Sequence, residues 1–458
     1  LRQITNFPTG GFMPISKTEK KAITDIIIDE EGNSIEAVKY IDVENHYVRY
    51  TEILDSSIYE TKVTPFSLAQ ELLVSNSIPN TEEAHISPSG EHILYQYWNT
   101  QDRTAESYLA SIEKKQLVVE ECPYDFDPVE LDMDAEHVVG VHQFLNKSPQ
   151  TRIAVSGVNS PGNEGSRVTE GTISAIKNFQ SIYQIDIDGK IGPSTRAKMK
   201  EICDVEQQLI AEQAFNELDE TYTISGLFLP QGIIAASMHP NEDKLFYLQK
   251  NNQGSVGAVR DLDTKQKTDV FSSKLSEWRA NWNNPISIEV STKPSYFADT
   301  FSYELNPENG RYFKSIAQKK GMQVLASPDN QNIFVSETDP FIQNYIYNKE
   351  TGFSTPLGIQ TFADKCVWSS NTRLYCGVPG ALTQTEYPDV WYQGLESYRD
   401  SLWGIDVETG EENQVDEIFL ENGTGIDMEQ IGIDSRGDYL YFIDKNTEYL
   451  WSYRLTNT

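Results

Sequence analysis

The sequence predicts a mainly β protein: a seven-bladed β-propeller that carries a small inserted domain of three helices. A turn-and-strand unit recurs with starts near residues 42, 87, 239, 283, 327, 369 and 434, and four of the gaps are 42 to 45 residues. A blade of four strands takes about 40 to 50 residues with its loops. Between residues 122 and 220 the spacing of apolar residues changes to that of helices. A β-sandwich with irregular hairpins is the alternative architecture.

In each repeat a short polar turn leads into a strand of aromatic and β-branched residues. The clear copies are SPSGEHILYQYW from Ser87, HPNEDKLFYLQ from His239, SPDNQNIFVS from Ser327, SSNTRLYCGV from Ser369 and DSRGDYLYFI from Asp434. Weaker copies are DVENHYVRY and NNPISIEV. We expect the opening strand LRQIT to pair with LWSYRL and complete the last blade, because a closed ring leaves only short protected sheet edges.

The inserted segment accounts for the longest gap between repeats. Apolar residues spaced by three and four predict helices in DAEHVVGVHQFLN and TEGTISAIKNFQSIY, and a short third helix is expected in PSTRAKMKEIC. The acidic stretch DVEQQLIAEQAFNELDE is expected to be a separate returning helix. The predicted domains are 1–121 (first blades), 122–204 (inserted α domain), 205–220 (helical return linker) and 221–458 (remaining blades), with the insertion after the second blade.

Four cysteines form two candidate disulfides. Cys366 and Cys376 flank a predicted hairpin turn, which places them opposite each other, and a bond between Cys122 and Cys203 would clamp the ends of the inserted domain. Neither pair has the spacing or the partner histidines of a zinc or redox site. Two bridges would indicate an oxidising, extracytoplasmic compartment; four reduced thiols are the alternative.

The charge balance excludes some partners. There are 37 Lys and Arg against 69 Asp and Glu, a formal charge of −32. This charge disfavours nucleic acid and anionic membrane surfaces. No apolar run approaches the roughly 20 residues that span a bilayer, so no membrane insertion is expected. Because LRQITNFPTG does not resemble a signal peptide, we expect any export signal to lie upstream of residue 1.

No catalytic residues are predicted. The six histidines lack an HExxH pattern, and there is no GxSxG nucleophile motif. Acidic runs give only a weak indication of calcium, because they lack the glycine and closing glutamate of an EF-hand loop. We therefore expect no enzyme activity, no metal and no cofactor. The aspartates of these runs are Asp125, Asp127, Asp132, Asp134, Asp186 and Asp188.

The segment TEYPDVWYQGLESYRD is rich in aromatic residues and accounts for the second long gap. Trp391, Tyr392 and Tyr398 are candidate contacts on a propeller face, where they could stack on a glycan or meet another protein. The alternative is that they fold back and cover the rim of the propeller. Trp278 and Trp282 in SEWRANW are interpreted in the same way.

The inserted segment resembles the peptidoglycan-binding domain type 1. The resemblance runs from Asp134 to Cys203 and rests on VHQFLN, TISAIKNFQSIY and the closing IDGKIGPSTRAKM, which matches the pattern DGxxGPxTxxxL. The sequence departs from the family in two places. SRVTEGT stands where the family has its glycine-containing turn, and His142 replaces a glutamine. The resemblance implies that the binding residues are Tyr183, Asp188, Gly189, Gly192, Thr195 and Arg196, with Arg196 available to a stem-peptide carboxylate.

The blade containing KCVWSSNTRLYC is similar to exported propellers of candidate-phyla bacteria. Together the resemblances imply an extracytoplasmic, non-catalytic protein of the bacterial surface or cell wall. Peptidoglycan or another wall glycan is the expected partner of the inserted domain, and another surface protein is a second candidate partner. The alternatives are a surface-layer or filament subunit, in which the domain is a spacer or docking surface, and a wall-targeted hydrolase.

Overall fold

The computed structural model describes residues 1–28, 34–63, 68–76, 78, 81–115, 119–216, 222–382, 386–418 and 423–455, with backbone only for 19–28, 34–42 and 212–216. By its internal contacts the chain divides into two compact units. The first unit comprises residues 1–113 and 222–458, and the second comprises residues 114–221.

The first unit is a propeller of seven four-stranded antiparallel sheets. Strand β1 (Arg2–Gln3) belongs to the last blade. Blade 1 contains β2 (Thr9–Ile28), β3 (Ser34–Glu52), β4 (Ile58–Val63) and β5 (Leu68–Val74). Blade 2 contains β6 (Thr81–Ile86), β7 (His92–Asn99), β8 (Thr104–Lys114) and β9 (Tyr222–Phe228). Blade 3 contains β10 (Ile233–Met238), β11 (Lys244–Asn251), β12 (Gly254–Asp261) and β13 (Lys267–Ser273).

The remaining blades follow in chain order. Blade 4 contains β14 (Trp278–Asn281), β15 (Ile288–Thr292), β16 (Asp299–Leu305) and β17 (Tyr312–Lys320). Blade 5 contains β18 (Gln323–Ala326), β19 (Asn332–Thr338), β20 (Ile342–Asn348) and β21 (Ser354–Pro356). A 3-10 turn (Ala363–Lys365) precedes blade 6, which contains β22 (Cys366–Trp368), β23 (Arg373–Pro379), β24 (Asp400–Asp406) and β25 (Glu411–Glu417). Blade 7 contains β26 (Met428–Ile433), β27 (Tyr439–Asp444) and β28 (Leu450–Arg454).

The predicted seven blades and the predicted ring closure are confirmed. Strand β1 pairs antiparallel with β28, with Arg2 opposite Ser452, so the N-terminal strand supplies the fourth strand of blade 7. Residues of adjacent blades pack together, as Phe246 of blade 3 does with Trp278 and Ile288 of blade 4. This packing buries the apolar faces of the sheets between blades.

The recurring polar turn has a structural reason. In the copies at Ser87, Ser327 and Asp434, the first residue accepts a backbone N–H from the start of the next strand, which fixes the tight connection between the first and second strands of the blade. The Ser87 hydroxyl accepts the N–H of His92 at 3.2 Å, and Asp434 Oδ1 accepts the N–H of Tyr439 at 2.8 Å. The weak copy predicted near Asp42 differs, because Asp42 lies within β3.

The second unit contains three helices: α1 (Glu136–Asn146), α2 (Glu170–Ile182) and α3 (Pro193–Asn216). Its core includes Val141, Ile176, Phe179 and Met199. The predicted third helix and returning helix are one continuous α3, because neither glycine nor proline interrupts the chain after Pro193. The predicted insertion point also needs correction: the unit lies between β8 and β9, the third and fourth strands of blade 2.

Both predicted disulfides are present. Cys122 is bonded to Cys203 in the second unit, and Cys366 to Cys376 across the hairpin of β22 and β23. Among the described helices, none combines the length and the apolar character that a membrane span requires.

Candidate functional site

The propeller contains a central cavity of about 610 Å³. The first strand of every blade contributes to its wall: β2, β6, β10, β14, β18, β22 and β26. Apolar side chains such as Met13, Ile86 and Leu325 line part of it, and charged side chains line another part. A concave, largely apolar site with a few placed polar groups is typical of ligand-binding sites.

One cluster of polar side chains in the wall centres on Arg279 of β14. Arg279 Nη2 donates to both carboxylate oxygens of Asp364, at 2.8 and 2.9 Å, and Nη1 donates to the Tyr392 hydroxyl at 2.6 Å. Tyr392 in turn donates to Asp364 at 2.6 Å and accepts from Gln323 at 2.7 Å. Burial and the Asp364 carboxylate raise the pKa of Tyr392 well above its ordinary value, so it keeps its proton. These groups are held in a fixed arrangement by one another.

A second polar group in the wall is the pair Glu429 and Lys445. The ammonium lies 3.9 Å from Glu429 Oε2 and 4.1 Å from the centre of the Trp391 ring. Burial lowers the pKa of Lys445 and raises that of Glu429. Neither charged group forms a hydrogen bond with any residue that the structure describes. This loose pair therefore retains donors and acceptors for a ligand.

Trp282 also lines the cavity, but its indole N–H is enclosed within the protein. Trp282 is only 3% exposed, and its Nε1 has no hydrogen-bond partner among the described residues. Leaving a buried donor without an acceptor costs about 1–3 kcal/mol.

Beneath the aromatic segment, Lys365 is completely buried. Its ammonium donates to Asp400 at 2.6 Å, to Asp427 and to the carbonyl of Met428 at 3.0 Å. Asp427 also accepts from Trp391 Nε1 at 3.2 Å and from the Tyr398 N–H at 3.0 Å. The buried charges thus position the aromatic segment.

The structure separates the three aromatic residues predicted as face contacts. Trp391 stacks on Phe362 at 5.1 Å and is 2% exposed, and Tyr398 is 7% exposed in the same cluster, so both serve mainly to cover the propeller. Tyr392, 39% exposed, lines the cavity, and its hydroxyl contacts Arg279 and Asp364. Trp278, like Trp282, is buried at 3% exposure.

In the second unit, three of the predicted binding residues converge on Gln180, which the sequence interpretation did not single out. The Gln180 amide donates to Asp188 at 2.7 Å and to the Thr195 hydroxyl at 3.1 Å, and its oxygen accepts the Gly189 N–H at 2.8 Å. Gly189 has a φ of +75°, which a glycine adopts without strain. Hydrogen bonds from the Lys190 N–H and from Gln180 lower the pKa of Asp188. These residues shape the turn.

The other predicted residues face solvent. Arg196 pairs with Asp127 at 3.3 Å and lines a surface cavity of about 480 Å³ together with Tyr124 and Lys200. Tyr183 is 38% exposed but does not line that cavity. A side chain at Gly192 would meet open space. Arg196 and Tyr183 are therefore not brought together around this cavity.

The acidic runs that gave a weak indication of calcium make contacts within the protein. Asp132 pairs with Arg167 at 2.9 Å, and Asp134 accepts from Ser166. Among the described residues, two other sets place a histidine and two aspartates close together: His46 with Asp434 and Asp438, and His92 with Asp243 and Asp263. Sequence spacing could not reveal them, because each set joins two blades.

No family model matches the chain, and no curated protein matches it. Among solved structures, the propeller domain of the Trilobed protease from Pyrococcus furiosus is similar at 11% identity with a TM-score of 0.41, covering 90% of this chain and 94% of that one. TolB from Acinetobacter baumannii is similar at 12% identity with a TM-score of 0.34, covering 52% of this chain and 60% of that chain, less than two thirds of its length. Likeness this distant carries no argument about activity, so the propeller assignment rests on the seven sheets themselves.

Proposed function

We propose that this is an extracytoplasmic binding protein in which the central cavity of the propeller takes a ligand. The observation that carries the proposal is the cavity wall, where the loosely paired Glu429 and Lys445 lie beside the fixed group of Arg279, Asp364 and Tyr392. The two disulfides support an oxidising compartment.

The cavity chemistry favours a ligand with apolar surface and both signs of charge, such as a short peptide. A ligand carboxylate would accept from Lys445, and a ligand amino group would donate to Glu429. Binding rather than catalysis is proposed because the groups of the Arg279 set already satisfy one another, which suits a rigid recognition surface.

Tryptophan fluorescence provides the test, because Trp282 and Trp391 line the cavity. Soluble muropeptides, which carry both amino and carboxylate groups, are the probe. Saturable quenching is expected for the wild type. Lys445→Met should weaken the binding affinity at least about tenfold, because it removes one charge-assisted hydrogen bond to the ligand. Lys250→Met is the matched control, since Lys250 pairs with Glu277 on the surface. Equal quenching of Lys445→Met and wild type would contradict the proposal.

For the second unit we propose attachment to peptidoglycan or another wall glycan, through the exposed Arg196 and its cavity. The exposed guanidinium, 44% accessible and paired with Asp127 at 3.3 Å, supports this because a carboxylate of the wall can compete for it.

Co-sedimentation of the full chain with purified sacculi tests this proposal. Arg196→Ala is expected to lose binding, and Arg167→Ala is the control. If neither wild type nor control sediments, the unit is a spacer, and concentration-dependent assembly, as for a surface-layer or filament subunit, becomes the alternative. Release of muropeptides from the sacculi would instead favour a wall-targeted hydrolase.

A further inference from the structure

We propose that His46, Asp434 and Asp438 form a binding site for one divalent transition-metal cation, with Zn²⁺ as the best match. His46 lies on β3 of blade 1, whereas Asp434 and Asp438 lie in the turn between β26 and β27 of blade 7. The site would therefore join the first and last blades of the ring.

The ligand atoms are already close together. His46 Nδ1 and Asp434 Oδ2 are 3.1 Å apart, and the candidate ligand atoms of all three residues lie within 4.8 Å of one another. Two ligands at about 2.1 Å from a tetrahedral zinc ion are about 3.4 Å apart. A small rotation of the half-buried Asp438 side chain would complete the set.

Unsatisfied buried atoms provide an independent indication of a ligand. The Asp434 side chain is 3% exposed, and its Oδ2 has no hydrogen-bond partner among the described residues; the same is true of His46 Nδ1. Their separation is short enough for a hydrogen bond, so the direction of approach is what fails. A shared cation satisfies both atoms, since each would direct a lone pair to the ion and not to the other atom.

The two oxygens of Asp434 have separate roles. Oδ1 accepts the N–H groups of Asp438 at 2.7 Å and Tyr439 at 2.8 Å, which holds the turn. Oδ2 takes no part in the turn and lies 3.1 Å from His46 Nδ1. Holding Oδ1 in this way orients Oδ2, as partners of a metal ligand commonly do.

The donor set decides which ion fits. One imidazole nitrogen and two carboxylate oxygens suit zinc and related transition metals, whereas Ca²⁺ and Mg²⁺ prefer oxygen ligands throughout. Arg436 lies nearby but is paired with Glu44 across the two blades, so its charge is largely offset. Three protein ligands leave a coordination position for water.

The second histidine cluster is a matched comparison. His92 Nδ1 hydrogen-bonds the Ser111 hydroxyl at 2.9 Å, and its Nε2 hydrogen-bonds Asp263 at 3.4 Å. Both ring nitrogens are therefore satisfied within the protein, and Asp263 is 74% exposed. We assign the cation to the His46 cluster and use the His92 cluster as the control.

The test is isothermal titration calorimetry of ZnCl₂ into the EDTA-treated full chain. One saturable equivalent is expected for the wild type. His46→Gln and Asp434→Asn should weaken it at least about tenfold, while His92→Gln should bind as the wild type does. Asp434→Asn keeps an oxygen for the turn, so it separates the loss of the ligand from the loss of the turn. Circular dichroism before metal addition establishes that each variant is folded.

A second measurement does not depend on the variants. One equivalent of CoCl₂ added to the wild type should produce visible d–d absorption bands of a tetrahedral nitrogen and oxygen site, and ZnCl₂ should abolish them. Absence of these bands overturns the proposal, as does wild-type zinc affinity in His46→Gln. Loss of the site in His92→Gln alone would also overturn it. In that case His46 and Asp434 would be an ordinary ion pair.

Discussion

Lys365 and Asp400 form a salt bridge of 2.6 Å in which both side chains are completely buried. The same ammonium contacts Asp427, whose carboxylate holds the indole N–H of Trp391. Burial raises the pKa of Asp400 to about 6, and the Lys365 charge opposes that rise. A buried ion network of this kind ties blade 6 to blade 7 and holds the aromatic segment in place above it.

Replacing Lys365 with methionine should strongly destabilise the propeller. The substitution keeps the length of the side chain but leaves two buried carboxylates without their cation, and breaking a buried pair from one side costs about 3–5 kcal/mol. Urea unfolding followed by tryptophan fluorescence measures this loss. Lys250→Met removes only a surface pair and should change the free energy of unfolding by less than about 0.5 kcal/mol. Equal stability of the two variants would contradict the structural role of Lys365.

Local patterns predicted the blades but not the cavity. Most repeats carry their own turn chemistry, such as the Ser87 hydroxyl that accepts the N–H of His92, so their strand pairs are visible in short stretches of sequence. The Arg279, Asp364 and Tyr392 group is assembled from three separate parts of the chain, and its members look like ordinary surface residues when read singly. The sequence pattern therefore identified the architecture and missed the residues that face the cavity.

The aromatic segment and the inserted unit illustrate the same limit. The sequence leaves open whether Trp391 and Tyr398 are exposed contacts or cover the rim. Lys365 and Asp427 hold them in the interior, and that network joins residues distant in sequence. The sequence interpretation divides the continuous α3 in two because Cys203 looks like a domain boundary. The insertion point was also misplaced, since β9 returns to blade 2 after the helices.

The pH dependence of stability should contain a contribution from Glu289. Burial raises the pKa of Glu289 to about 7. In the unfolded chain a glutamate loses its proton near pH 4.3. The folded state therefore binds more protons over the interval, and stability should fall as the pH rises from about 4.3 to about 7, by at most about 1.4 kcal/mol per pH unit.

Urea unfolding across that interval checks the prediction. Glu289→Gln should flatten the decline relative to the wild type, because the amide has no proton to lose. Glu277→Gln is the control, since Glu277 is an exposed partner of Lys250 and Lys293. The prediction fails if both variants retain the wild-type slope.

The bond between Cys122 and Cys203 should stabilise the helical unit. It closes a loop with a sequence separation of 81. The loop-entropy model gives about 4.5 kcal/mol for such a loop. A double Cys122→Ser, Cys203→Ser variant should therefore lose helical circular dichroism at a lower temperature, because three of the four described α-helices lie in this unit.

The second disulfide provides the comparison. Cys366 and Cys376 are separated by 10 residues. The same model gives about 2.7 kcal/mol for that loop. Their double serine variant should leave the helical signal unchanged and affect only the transition of the propeller. Loss of the helical signal in this variant would mean that the two units do not unfold independently.

Gln180 should determine whether the turn at Gly189 forms. Gln180→Leu leaves the Gly189 N–H and the buried Thr195 hydroxyl without their partner, at about 1–3 kcal/mol for each buried group left unpaired. Gln180→Glu keeps an acceptor for Gly189 but loses the amide donor and places a second carboxylate beside Asp188, which Gln180 contacts at 2.7 Å. Thermal unfolding at neutral pH should rank the wild type above both variants. The Gln180→Glu variant alone should recover stability as the pH falls, because protonation removes the repulsion and restores a donor. A Gln180→Glu protein as stable as the wild type at neutral pH would mean that the amide donor does not hold this turn.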